Sequence, residues 1–194
     1  MLQSEADEII ERYVSCFSKF DDMEAFEGID PIATELAPET LGEYGEKHWQ
    51  PLKVETPRPV LDSIYAKLPA RFPPLHERLV LSYRWAEVDL GTYRLVANPP
   101  GSGLDGLFRE MTGDEGLRES LLPAGYIQFG KGPDVNYDPV CFDLNARKKN
   151  REFRIVQIDH EEILCNYRIK VVHELAPSFD QLVRHTIERA AQIK

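Results

Sequence analysis

Apolar residues recur with a helical period near both ends of this 194-residue chain and with a strand period between them. The strand-like stretches are not each followed by a long helix. Parallel strands need a long crossover, usually helical, so a doubly wound fold is disfavoured. The expected class is α+β, with a mostly antiparallel or mixed central sheet flanked by helices.

The helix signals are local and physical. Ser4 reads as an N-cap, with Glu5, Asp7 and Glu8 facing the positive end of the helix dipole. Ile9, Ile10, Tyr13, Val14 and Phe17 then form one apolar stripe, so this acidic helix must bury a face. A second helix over residues 57–68 starts at Thr56-Pro57, carries Val60, Leu61, Ile64, Tyr65 and Leu68, and stops at Pro69. A third opens at Pro73-Pro74 with Leu75, Leu79 and Val80. Further helical segments fall at 104–111 and 114–121. The last helix has the clearest start: Ser178 and Gln181 fit a capping box, and Phe179, Leu182, Val183, Ile187 and Ala190 make its stripe. Strands are expected over 91–96, over 125–130 with Ile127 and Phe129 on one face, and over 169–174. Residues 139–144 and 152–159 read as a hairpin turning at 145–151, with Phe153 and Ile155 sharing a face.

Charge divides the chain. Residues 1–50 hold thirteen acids and three bases, whereas residues 51–194 hold twenty of each, so the net charge of −10 resides in the first quarter. Gly28, Pro31, Pro38, Gly42 and Gly45 break residues 21–50 into short pieces, and Pro51, Pro57 and Pro59 read as a hinge. The expected organisation is an acidic extension over 1–50, with one amphipathic helix packed on the core, and an α+β domain over 51–194. An acidic segment repels nucleic acid and attracts a basic partner; otherwise it is a solvated surface. No apolar run is long enough to span a membrane, and no basic stretch precedes an apolar run at the start, so no secretory signal is expected. Cys16, Cys141 and Cys165 are odd in number and widely spaced, which fits free thiols in the cytoplasm, with Cys141 and Cys165 as small buried hydrophobes.

The chemical inventory is thin. Gly101-Ser102-Gly103-Leu104-Asp105-Gly106 matches a dinucleotide-binding spacing, but Pro99-Pro100 separates it from the strand and the next strand ends in Gly130-Lys131, with no acidic residue for a ribose. It reads as a loop. Asp159-His160-Glu161-Glu162 offers acid–base and ligand side chains, yet adjacent residues point apart, so it reads as a polar helix start. Arg147-Lys148-Lys149-Asn150-Arg151 reads as a solvated turn, and Trp49 and Trp85 as core anchors. A Cys165–His173 pair has nothing to support it. No catalytic residue, cofactor or metal is assigned.

Several pieces, in order, resemble the SUKH superfamily, named after fungal Smi/Knr cell-wall-synthesis regulators. They are the helix 57–68 and its exit Leu68-Pro69-Ala70-Arg71-Phe72-Pro73-Pro74-Leu75, then Ile127-Gln128-Phe129-Gly130 and Tyr137-Asp138-Pro139-Val140-Cys141-Phe142-Asp143-Leu144. Ile155-Val156-Gln157-Ile158-Asp159-His160-Glu161 and Leu175-Ala176-Pro177-Ser178-Phe179-Asp180-Gln181-Leu182 follow. The likeness covers residues 57–190; the acidic extension lies outside it. The resemblance implies an α+β fold and, for bacterial members, an immunity protein that binds and neutralises a polymorphic toxin, often a nuclease. It carries over no catalytic or binding residue.

The expected function is therefore a non-enzymatic, cytoplasmic protein-binding domain that neutralises a basic toxin domain, with no nucleic acid or membrane partner. A Smi/Knr-type regulatory adaptor or scaffold is the alternative, followed by a nucleotide- or metal-binding enzyme. The expected partner-facing residues are exposed acids beside loops: Glu87, Asp89, Asp134 and Asp138, with Asp21 and Asp22 from the extension.

Overall fold

The structure, a computed structural model, describes residues 3–26, 35–37, 46–101, 103–146 and 151–193. In chain order, α1 (Gln3–Ser15) and α2 (Phe17–Phe20) precede β1 (Glu24–Phe26), β2 (Glu46–His48) and β3 (Leu52–Lys53). Then come α3 (Val60–Tyr65), α4 (Pro74–Ser82), β4 (Tyr83–Arg84), β5 (Val88–Asp89), β6 (Arg94–Leu95), α5 (Asp105–Thr112) and α6 (Glu115–Leu121). The chain ends through β7 (Tyr126–Lys131), β8 (Pro139–Asp143), β9 (Arg154–Ile158), α7 (His160–Asn166), β10 (Val171–Ala176) and α8 (Phe179–Ala190). A six-stranded sheet in the order β10-β9-β8-β7-β6-β5 is antiparallel throughout. The fold is α+β.

Strand alternation splits the core into two layers. Ile127 and Phe129 of β7, Val140 and Phe142 of β8, and Phe153 and Ile155 face the larger cluster, which also takes side chains from α1, α4 and α8. Phe129 and Phe142 stack at 4.2 Å, and Phe179 meets both edge-on. On the other face, Cys141, Val156 and Ile158 pack under Leu117 and Leu121 of α6 and Ile163 of α7. This second layer is small, and Leu164 remains 47% exposed beside it.

The acidic first helix belongs to the larger core. Ile9, Ile10, Tyr13 and Phe17 are buried, and the Tyr13 and Tyr93 hydroxyls share a hydrogen bond at 2.6 Å. Burying each large apolar side chain contributes about 1.5–3 kcal/mol. The ion pairs Asp7–Arg78 and Glu11–Lys53, and the looser Glu5–Arg184 contact, lie on the surface and add little. The apolar stripe therefore docks α1, and the charges decorate the seam.

Several expectations shift. α1 already includes Gln3, so Ser4 lies inside its first turn and does not precede it. The second helix is shorter than 57–68, because Pro57 and Arg58 accept from Val60 and Leu61 in a tight turn and α3 ends at Tyr65. The hinge near Pro51 is not free: β3 pairs with β4, and the Val54 and Thr56 N–H groups bond to Ser82 and Leu81. The strand at 91–96 shrinks to β6, since Leu90 to Tyr93 form a turn. Cys165 is exposed on the outer side of α7, while Cys141 is buried as expected. Trp49 and Trp85 are both buried. Gly28, Pro31, Pro38, Gly42, Gly45, Ser102 and Arg147–Asn150 lie outside the described residues.

Candidate functional site

One end of the sheet gathers the polar groups. There β6 pairs Arg94 with Lys131, β7 pairs Lys131 with Pro139, and β9 runs into α7. The loop 132–138 crosses this end. It closes on itself through the Gly132 N–H to Asp138 O (2.8 Å) and the Asn136 N–H to Pro133 O (3.0 Å). Arg94 ties it down by donating to Gly132 O and Asn136 O at 3.0 and 2.9 Å. Gly130 makes the approach possible, because a Cβ there would stand 2.6 Å from Arg94 O.

The six expected acids all lie along or beside this rim, in different states. Asp21 Oδ1 accepts the Met23 N–H at 2.8 Å, and its Oδ2 accepts the Asp89 N–H at 2.9 Å. Asp89 in turn accepts the Gly91 N–H at 2.6 Å and the Asp134 N–H at 2.8 Å. Three carboxylates from segments far apart in sequence thus stand in a row, linked through backbone N–H groups. Asp22 and Asp134 are exposed, and among the described residues their side chains have no partner. Glu87 differs: it bridges Arg94 at 3.1 Å and Lys131 at 2.6 Å. Asp138 is mostly buried and accepts from the His160 backbone N–H and Nδ1 (3.0 and 2.7 Å), Gln157 (3.1 Å) and Asn136 (3.3 Å). The expectation of exposed acids therefore holds for Asp22 and Asp134. Asp21, Glu87, Asp89 and Asp138 are half-buried because they hold the rim's loops together. Arg189 adds a cation at the turn between β5 and β6, donating to Leu90 O and Thr92.

Two grooves flank the rim. The first, about 530 Å³, runs between α1 and residues 48–51. Glu11, Asp21 and Asp22 supply its charge, Val14, Met23, Trp49 and Tyr83 its apolar surface, and among the described residues no Lys or Arg lines it. The second, about 510 Å³, opens between α5–α6 and α7 over β7, where the smaller layer is incomplete. Its lining includes Leu117, Leu164 and Tyr137 together with Gln128 and His160. Burial works to raise the Asp138 pKa, but the hydrogen bonds from His160, Gln157 and Asn136 outweigh it and hold the carboxyl below its usual range. An ionised carboxylate only accepts, so His160 Nδ1 carries a proton, and in the neutral ring Nε2 is then the acceptor.

Sequence reasoning passed over Arg94, Lys131 and Gln128, and no local signal marks them. The remaining motifs resolve as local structure. Gly106 packs against Pro99, with an added Cβ meeting its ring at 2.5 Å, and α5 begins at Asp105. Asp159 caps α7 by accepting the Glu162 N–H, as a polar helix start should. Arg151 pairs with the buried Glu77 at 2.8 Å. Cys165 lies on α7 and His173 on β10. Among the described residues, no group of three or more His, Cys, Asp or Glu side chains is placed to hold a metal, and no helix is long and apolar enough to cross a membrane. No family model, no curated protein and no solved structure matches this chain.

Proposed function

We propose that this chain is a non-enzymatic protein-binding domain that captures a basic partner through the acidic rim. One observation carries the reading: Asp21, Asp89 and Asp134 stand in a row with Asp22 beside Asp21, and among the described residues none has a cation as hydrogen-bond partner. A carboxylate bonded to backbone N–H groups is fixed in place yet keeps its field, which draws a cationic surface and speeds encounter. The adjoining groove between α1 and Trp49 extends that surface with an apolar floor. The likeness of residues 57–190 to the SUKH superfamily supports an immunity-type role, in which the partner is a toxin domain whose phosphate-binding cleft is basic. The three free thiols suit a cytoplasmic setting.

The test is kinetic. The tagged chain is recovered from its own cells, the bound protein is identified and purified, and association is followed at low and high salt. A basic partner whose on-rate falls with salt, and falls again with Asp22→Asn and Asp134→Asn together, supports the reading. A partner whose on-rate ignores both changes refutes it.

A further inference from the structure

The groove between α5–α6 and α7 is unusual in what it leaves unused. Gln128 is 8% exposed, and its amide nitrogen donates to Gly130 O at 3.1 Å. A carbonyl cannot receive a hydrogen bond from another carbonyl, so the amide orientation is fixed and Oε1 is the free atom. His160 lines the same groove, whereas Asp138, which takes its Nδ1, does not. The ring edge bearing Nε2 is therefore the edge left for the groove, and among the described residues Nε2 has no partner. In the same lining, Glu110 is exposed and without a partner among the described residues, and Asp114 spends one oxygen on the Leu117 N–H at 2.9 Å, leaving the other.

The donors are fewer. Lys131 is held by Glu87 at 2.6 Å. The Tyr137 ring already carries the Arg94 guanidinium 5.5 Å from its centroid. Arg109 is the one opposing charge without a partner among the described residues; like Glu110 it is exposed, so water screens both alike. The inventory is thus four acceptors, two of them carboxylates, set among the apolar walls of Leu117 and Leu164.

We propose that this groove seats one basic side chain of the partner, most favourably an arginine. A guanidinium brings several donors in a planar fork and a stem that suits apolar walls. Gln128 Oε1 and the neutral His160 Nε2 receive it, and the exposed Glu110 and Asp114 balance its charge. The groove then acts as the anchor pocket of the interface, where a single buried residue supplies much of the affinity. The inference rests on the protein-binding reading above, but it uses none of the four rim acids that carry that reading.

The test needs no identified partner. The full chain is titrated with Nα-acetylarginine amide and, as its neutral isostere, Nα-acetylcitrulline amide. The Gln128 side-chain amide and the His160 ring are followed by NMR. The expected result is saturable shifts with the arginine probe at a Kd of about 10 mM or tighter, and at least about tenfold weaker binding of the citrulline probe. Gln128→Met and Glu110→Gln should each weaken the arginine probe. Glu110 is exposed, so its variant keeps the test decisive even if the buried substitution unfolds the chain. Equal responses to the two probes, or arginine binding unchanged in the folded variants, overturns the proposal. If the arginine probe fails while a basic partner still binds with a salt-sensitive on-rate, the anchor pocket falls and the acidic rim stands.

Discussion

Replacing His76 by leucine should remove much of this protein's sensitivity to acid. The imidazole is 1% exposed and ringed by phenylalanines, with centroids 4.8 Å from Phe72, 5.1 Å from Phe142, 5.0 Å from Phe179 and 5.8 Å from Phe129. Its Nδ1 is buried with no hydrogen-bond partner among the described residues. Burial lowers its pKa to about 3. In the unfolded chain a histidine titrates near 6.5. As pH falls, the unfolded state therefore takes up this proton first, and stability drops from about pH 6.5 down to about pH 3. Each pH unit inside that window costs up to about 1.36 kcal/mol. Between about pH 7 and pH 4.5 the loss from this one group comes to roughly 2.5 kcal/mol, a large share of a typical domain's stability. Leucine is close to histidine in volume and cannot titrate. At neutral pH it removes an unsatisfied buried nitrogen but forfeits edge-on ring contacts, so the two stabilities should agree within about 1.5 kcal/mol. The assay is urea unfolding followed through the buried Trp49 and Trp85 at a series of pH values. The wild-type curve should fall away from the variant's on the acid side by roughly the amount above. Parallel curves would mean that His76 protonates as easily in the fold as outside it, and the all-phenylalanine cage would be wrong.

Three further substitutions probe other parts of the fold. Phe179→Ala should cost roughly 3–5 kcal/mol, because the ring is fully buried against Phe129 and Phe142; a loss below about 1 kcal/mol would mean α8 is not docked there. Tyr13→Phe should cost about 1–2 kcal/mol by leaving the buried Tyr93 hydroxyl with only Thr186 at 3.5 Å, and an unchanged midpoint would show that this bond does not hold α1. Burial works to raise the Glu77 pKa, but hydrogen bonds from Tyr65, Arg151 and Arg58 outweigh it and hold the carboxyl below its usual range. Its stabilisation is therefore complete above the usual carboxylate pKa of about 4.3 and is lost as pH falls below it, so Glu77→Gln should destabilise at neutral pH and converge with the wild type in acid. A gap that persists unchanged at low pH would mean the ionised carboxylate is not what the three donors stabilise.

The legible parts of the fold were those with local causes. Ser178 accepts the Gln181 N–H at 3.2 Å, as its place before an apolar stripe requires, and α8 follows. Asp114 caps α6 in the same way. The hairpin of β8 and β9 follows from period-two alternation on both strands. The strands with no local signal, β1 to β5, are two or three residues each, too short to show a period. Their pairing depends on partners elsewhere, Leu52 and Lys53 for β4 and β6 for β5. The exposed face of α7 escaped for a related reason. Cys165 and Leu164 look like core residues by type, but only Ile163 of that helix is buried.

The acids show most clearly what composition can and cannot say. Net charge places the excess in residues 1–50 and suggests an acidic arm. In the fold, Asp7 and Glu11 of α1 lie against Arg78 and Lys53, so part of that excess is matched along the docking seam. The unmatched carboxylates collect elsewhere. Asp21 meets Asp89 across 68 residues, and Asp89 meets Asp134 across 45. No window along the sequence contains that row. Its partners are N–H dipoles, which carry no net charge, whereas the full charges of Arg78 and Lys53 cancel Asp7 and Glu11 on α1. At physiological salt, exposed charges act over about 8 Å, so a partner senses the nearest carboxylates and not the sum over the chain. Neutralising Asp22 and Asp134 should therefore slow capture of a basic partner more than neutralising Glu5 and Glu11, although both pairs change the net charge equally.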